Sequence, residues 1–167
     1  MILIVSASNG ANLDLAHALH ALCAEIGLES DVVDLTEDPL PLYTPRVEAA
    51  GTPEGVDALV TRFSQAKGMI FCAPEYNGSL PPVLTNVVAW LSVAADDFRA
   101  VFNGKPAALA THSGGHGQKA LLGMRTQLSH LGMNLVGREV QTNEKKPFRD
   151  SSGRAVIAQL HRMLRVS

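Results

Sequence analysis

The chain is poor in several things at once. Of its 167 residues, 2 are cysteine and 5% are aromatic. Cys23 and Cys72 stand far apart among apolar neighbours, so they read as buried, inert thiols rather than as a bridge or a nucleophile. An excess of charge of one sign is also missing: 14 Lys plus Arg against 16 Asp plus Glu give a net charge of -2. That leaves no basic surplus to meet nucleic acid or anionic lipid through counterion release. No apolar run reaches the roughly 18 residues of a membrane span. The start, Met1-Ile2-Leu3-Ile4-Val5, lacks the basic flank of a signal peptide. These absences predict one soluble, cytoplasmic domain over residues 1–167, with 46% hydrophobic residues to build its core.

What is present is an alternation. Ile2 to Val5 is a short apolar run of the kind found in a central parallel strand, and it stops at Ser6-Ala7-Ser8-Asn9-Gly10. Leu13, Ala16, Leu19, Leu22, Cys23 and Ile26 then recur at helical spacing, with Gly27 as the stop. The pattern repeats, predicting strands over Asp31–Leu35, Met69–Ala73, Pro106–Thr111 and Asn134–Val140. Helices are predicted over Gly55–Lys67, Pro81–Ser92, Lys119–Leu131 and Gly153–Arg165. Strands alternating with helices mean a parallel sheet covered on both faces, a three-layer α/β domain with five strands. Two stretches interrupt it. Asp38–Thr52 carries Pro39, Pro41, Pro45 and Gly51 and reads as an extended loop, and Gln141–Ser152 is a polar connection.

In such a sheet, ligands bind outside the carboxyl ends of the strands, so the residues just after each strand are the informative ones. Three of these loops share a composition of hydroxyls, amides and glycine. They are Ser6 to Asn12, Pro74 to Ser79, and His112 to Gly117. The first runs straight into a helix whose free amides attract an anion such as phosphate, with Ser6, Ser8, Asn9 and Asn12 as side-chain donors. The same residues would also serve as an ordinary helix cap. No Gly-Lys-Ser/Thr phosphate loop occurs, nor the glycine spacing of a dinucleotide fingerprint. His17 and His20, one helical turn apart, have no third ligand at clear spacing, so no metal site is expected.

The run Pro74-Glu75-Tyr76-Asn77-Gly78-Ser79-Leu80-Pro81, with Val83, Leu84, Asn86 and Trp90-Leu91-Ser92 after it, resembles the pattern of the NADPH-dependent FMN reductases. That flavodoxin-like family includes quinone, chromate and azo-dye reductases. Leu40-Pro41-Leu42-Tyr43, Ser113-Gly114-Gly115, and Phe148 with Asp150 and Gly153 are similar to further motifs of the family, in the same order along the chain. The resemblance implies a doubly wound sheet of order 2-1-3-4-5 and an FMN-dependent NAD(P)H oxidoreductase acting on a small electron acceptor, usually as a homodimer or homotetramer. It implies that Ser6, Ser8, Asn9 and Asn12 hold the FMN phosphate. Pro74, Glu75, Tyr76, Asn77 and Gly78 would follow the ring, and Ser113, Gly114 and Gly115 would line its pyrimidine end. No protein residue is expected to be catalytic, because the flavin itself carries the hydride.

One departure stands out. The family's first loop commonly reads Gly-Ser-x-Arg, with the arginine on the phosphate, whereas this chain has Asn9 near that position and no arginine before Arg46. A charge-assisted hydrogen bond is worth roughly 1.5–3 kcal/mol, so FMN affinity is expected to be about one to two orders of magnitude lower than with that arginine. Two other readings stay open on the sequence. One is a flavodoxin-like electron carrier, for which the small net charge supplies no acidic docking face. The other is a member of the fold impaired in flavin binding that acts as a non-enzymatic binding protein.

Overall fold

The computed structural model describes residues 1–95 and 97–165. β1 (Ile2–Ser6), β3 (Gly68–Cys72) and β4 (Pro106–His112) form the centre of the sheet, and every residue of the first two is buried. This is why they read as unbroken apolar runs: both faces are covered. β2 (Ser30–Asp34) lies outside β1, and the order β2-β1-β3-β4-β5 is parallel throughout. Order reverses between β1 and β3, so a crevice opens at their carboxyl ends, where Ala7 N–H still bonds the Cys72 carbonyl at 2.9 Å.

α1 (Ala11–Glu25) and α6 (Asp150–Leu164) cover one face of the sheet, packing Leu15, Leu19, Val156 and Leu160 against Ile4, Ile70 and Ala108. α3 (Val56–Gln65), α4 (Pro82–Ala94) and α5 (Gln118–His130) cover the other face around Phe63, Trp90, Met124 and Phe71. α1 ends where the sequence places its stop. Gly27 adopts φ +71°, Gly27 N–H bonds the Ala24 carbonyl and Leu28 N–H bonds the Cys23 carbonyl, which closes the helix in a Schellman motif.

Two expectations are corrected. The fifth strand is not continuous over Asn134–Val140: β5 (Asn134–Leu135) and β6 (Val140–Thr142) each pair with β4, separated by residues 136–139. Val136 N–H still bonds the Ala107 carbonyl at 2.9 Å, and at the break Arg125 on α5 donates to the Val136 carbonyl at 3.1 Å and pairs with Glu139 at 2.6 Å. The extended loop also contains a short helix, α2 (Pro45–Ala49). Thr44 caps it by accepting from Val47 N–H, and Pro45 sits in its first turn, where a missing amide hydrogen costs little.

Beyond α2, the Leu40–Tyr43 segment is tied down to α4. Asn86 accepts from Tyr43 N–H at 2.7 Å and donates to the carbonyls of Leu40 and Pro41 at 3.1 Å. Trp90 Nε1 donates to the Pro41 carbonyl at 2.8 Å, and its ring meets Tyr43 edge-on at 5.2 Å. Trp90 is therefore core, 1% exposed, with its one polar atom satisfied.

Candidate functional site

All three donor-rich loops lie at the carboxyl edge of the sheet, following β1, β3 and β4. In the first, Ser6 is fully buried and its hydroxyl donates to the Ser8 carbonyl at 2.8 Å, which curls the chain into the turn. Gly10 is the N-cap of α1, and no side chain caps the helix. Neither Ser8 nor Asn12 takes the ordinary capping role. Leu13 N–H bonds the Gly10 carbonyl at 2.7 Å, and the amides of Ala11 and Asn12 are left to solvent or to an anion.

Asn12 has a different task. It is 2% exposed; its amide donates to the His112 carbonyl at 2.9 Å, and its oxygen accepts from His112 N–H at 2.8 Å. This two-way bond fastens the start of α1 to the end of β4. Asn12→Ala removes both bonds and leaves a partly buried peptide group without these partners, so a loss of about 2–3 kcal/mol is expected in urea unfolding.

A chain of hydroxyls joins the second loop to the third. Glu75 N–H donates to Ser113 Oγ at 2.8 Å, and Thr111 Oγ1 donates to the Ala73 carbonyl at 2.7 Å. The two hydroxyls stand 3.1 Å apart. Since the proton of Thr111 is spent on Ala73, Ser113 donates to Thr111, and the relay runs in one direction. Gly117, the N-cap of α5, closes against it with φ +64°. A Cβ there would stand 2.7 Å from both Thr111 Oγ1 and Thr111 Cγ2. The Glu75 carboxylate reaches over to accept Lys119 N–H at 3.0 Å, capping α5 from the second loop.

Tyr76, Asn77, Gly78 and Ser79 form a tight turn. Tyr76 and Ser79 exchange backbone hydrogen bonds at 3.0 and 2.9 Å, while Asn77 at φ +50° and Gly78 at φ +74° take the two positive-φ positions of a type I′ turn. Gly78 is thus required by backbone conformation. Pro74 precedes this turn and is buried, Tyr76 is half exposed, and the Lys119 side chain lies against Gly78.

Gly114 and Gly115 are of another kind. Neither adopts positive φ, and a Cβ at either would meet nothing within 4 Å. Packing and conformation do not demand glycine here; the open space beside the backbone is what it provides. The loop is held from behind by β6 and the turn after it. Ser113 N–H bonds the Thr142 carbonyl, Asn143 Nδ2 donates to the Gly115 carbonyl at 3.0 Å, and Gln141 donates to the His116 carbonyl. Thr142 Oγ1 donates to the Thr111 carbonyl at 2.9 Å and stands 3.1 Å from His112 Nδ1. With the Thr142 proton engaged, His112 Nδ1 is the donor in that contact.

The sequence reading missed Thr111, Gly117, Thr142 and Asn143. Gly117, just before a helical pattern, carried a local signal. The other three act through partners distant along the chain and carried none. Burial raises the pKa of both Cys23 and Cys72, which keeps the thiols protonated and unreactive.

This arrangement suits a flat, oxygen-rich anion: uncapped helix amides at one end, a rigid turn along one edge, and two glycines with free space beside them. The sequence profile of the NADPH-dependent FMN reductases matches residues 1–146. An NAD(P)H-dependent FMN reductase of Pseudomonas aeruginosa is 30% identical over 138 residues, spanning 83% of this chain and 69% of that protein. A quinone reductase of Escherichia coli is 36% identical over 110 residues, 65% of this chain and 54% of that one. Among solved structures, the flavoenzyme FerB of Paracoccus denitrificans shares the fold with TM-score 0.78 at 21% identity, over 98% of this chain and 97% of its own. An archaeal flavodoxin does so with TM-score 0.69 at 13% identity, over 97% of each chain.

Proposed function

The chain belongs to the NADPH-dependent FMN reductase family, and on that premise we propose that it is an FMN-dependent NAD(P)H oxidoreductase. It passes hydride from a nicotinamide cofactor by way of bound FMN to a flavin, a quinone or a similar small acceptor. The observation that carries this reading is the Gly114–Gly115 pair at the carboxyl edge of the sheet, where no described residue comes within 4 Å of where a side chain would begin. When bound, the flavin supplies the redox chemistry, accepting two electrons from the nicotinamide and releasing them to the acceptor.

The chain's residues bind and orient. The uncapped start of α1, with Ser8 and Asn9 beside it, offers amides to the phosphate, while Ser6 and Asn12 shape and anchor that loop. Pro74, Glu75, Tyr76, Asn77 and Gly78 form the wall along the ring, made rigid by the I′ turn and by the relay through Ser113. Backbone donors fixed in this way need no rearrangement when negative charge develops on the ring.

Glu75 is a cap in this account and not a proton donor. Glu75→Gln keeps the acceptor oxygen for Lys119 N–H and loses only the charge facing the helix end. The expected cost is below about 1 kcal/mol, with the pH profile of turnover unchanged; loss of one limb of that profile would assign the carboxylate a chemical role.

The reading extends to a single domain over residues 1–167, working in the cytoplasm as a homodimer or homotetramer. Exposed Leu42, on the segment tied to α4, and Val93, in the last turn of α4, support self-association. No helix of the described residues is long and apolar enough to cross a membrane. The test is anaerobic addition of NADPH to FMN-loaded protein. Bleaching of the flavin band without a partner protein, reversed by a quinone, is the expected result. Reduction only through a partner protein would indicate an electron carrier instead.

A further inference from the structure

The two rims of the carboxyl edge carry opposite charge. Beside the first loop, a cleft of about 320 Å³ is lined by Asn9 and His17 together with the carboxylates of Asp34 and Glu37. An adjoining cleft adds Asp38, and its one cation, Arg62, is already paired with Asp31 at 2.6 Å. Beside the third loop, a cleft of about 260 Å³ has Gly114, Gly115 and His116 as one wall. Its other wall is the turn after β6, bearing Lys145 and Lys146, with Glu144 as the only carboxylate in the lining. Neither lysine is in an ion pair among the described residues.

This second wall is built rather than loose. Asn143 is 8% exposed; its oxygen accepts the backbone N–H of Lys145 at 2.9 Å and of Lys146 at 2.8 Å, while its amide holds the Gly115 carbonyl. The turn closes with a reciprocal backbone pair between Asn143 and Lys146 at 3.0 Å. One buried carboxamide thus ties the lysine turn to the same glycine that leaves room for the flavin. The backbone donors of both lysines are consumed in the turn, and their ammonium groups are left exposed at the lip of the cleft.

We infer that the lysine lip of this cleft, on the side away from its glycine wall, receives the 2′-phosphate of NADPH, and that Lys145 and Lys146 set the preference for NADPH over NADH. The inference rests on the function proposed above. A nicotinamide stacked on a ring beside Gly114 and Gly115 leaves its adenosine end to run outward over one rim. The acidic rim repels phosphate and the lysine rim attracts it. A phosphate monoester carries close to two negative charges at neutral pH, and two neighbouring ammonium groups match them.

The test uses the FMN-loaded protein and its Lys145→Gln/Lys146→Gln variant. Adenosine 2′,5′-bisphosphate and adenosine 5′-monophosphate are titrated into each by calorimetry, and kcat/KM is measured with NADPH and with NADH. Wild-type protein is expected to bind the bisphosphate at least about tenfold more tightly than the monophosphate, by a margin that shrinks with added salt. In the variant that margin disappears, and the NADPH-to-NADH ratio of kcat/KM falls by about tenfold or more, with the thermal midpoint unchanged. A wild-type protein that treats the two nucleotides alike, or a variant that keeps the discrimination, overturns the inference and leaves the proposed function standing. Wild-type protein that takes up no FMN overturns both.

Discussion

Replacing Gly115 with leucine is expected to raise the dissociation constant for FMN by at least about two orders of magnitude while leaving the apoprotein as stable as before. A Cβ at this position meets nothing within 4 Å, and the backbone is outside the left-handed region, so the apoprotein accommodates the side chain without strain. Surface changes of this kind alter stability by no more than about 0.5 kcal/mol. With FMN in place, the same side chain stands where the ring would lie. Displacing the ring from the backbone costs on the order of 3 kcal/mol, which is a factor of about one hundred. Fluorescence titration of FMN against wild-type and variant, alongside thermal melts of both apoproteins, separates the two effects. Equal affinity would remove the glycine pair from the site. Gly114→Leu is expected to behave in the same way, since its surroundings are equally open.

Gly117→Ala is expected to cost about 2–5 kcal/mol of stability through one added methyl group. About 1–2 kcal/mol comes from holding an L-residue at φ +64°. A further 1–3 kcal/mol, roughly, comes from forcing a Cβ within 2.7 Å of Thr111, a fully buried side chain whose hydroxyl is committed to the Ala73 carbonyl. The displaced hydroxyl breaks the relay to Ser113 and Glu75, so FMN affinity should fall together with stability. Urea unfolding at constant m-value measures the first effect, and FMN titration the second. A variant of unchanged stability would contradict the packing of α5 against the third loop.

The two glycine substitutions separate kinds of information that the sequence shows in the same letters. Ser113-Gly114-Gly115-His116-Gly117 is visibly a donor-rich loop, yet nothing in its composition distinguishes a glycine that leaves room for a ligand from one that a helix start demands. The distinction depends on Thr111, whose side chain faces Gly117 and not the two glycines before it. The strands were legible where burial on both faces gave unbroken apolar runs, as in Ile2–Val5 and Met69–Ala73. The outer strand was not, because its break lies where Arg125, a residue of a different element, takes the Val136 carbonyl and Glu139. Thr44-Pro45 carried a local helix-start signal that the surrounding prolines obscured.

The same limit applies to the site. Asn12 and Glu75 stand out in the sequence as polar residues at the carboxyl edge of the sheet, but their bonds go to His112 100 residues away and to Lys119 44 residues away. Hydrogen bonds across such separations are products of topology, and spacing along the chain does not encode them. The missing arginine, by contrast, was visible from sequence alone. The uncapped start of α1 is what remains to hold a phosphate there.

The central claim, that FMN lies across the three loops, is tested most directly by titrating FMN into isotope-labelled apoprotein and following its backbone amide resonances. The account predicts saturable shifts at Ser8 to Ala11, Tyr76 to Gly78 and Ser113 to Gly115, with little change at the far groove around Gly137 and Gln159. Shifts centred on that groove, or none at these three loops, would contradict it.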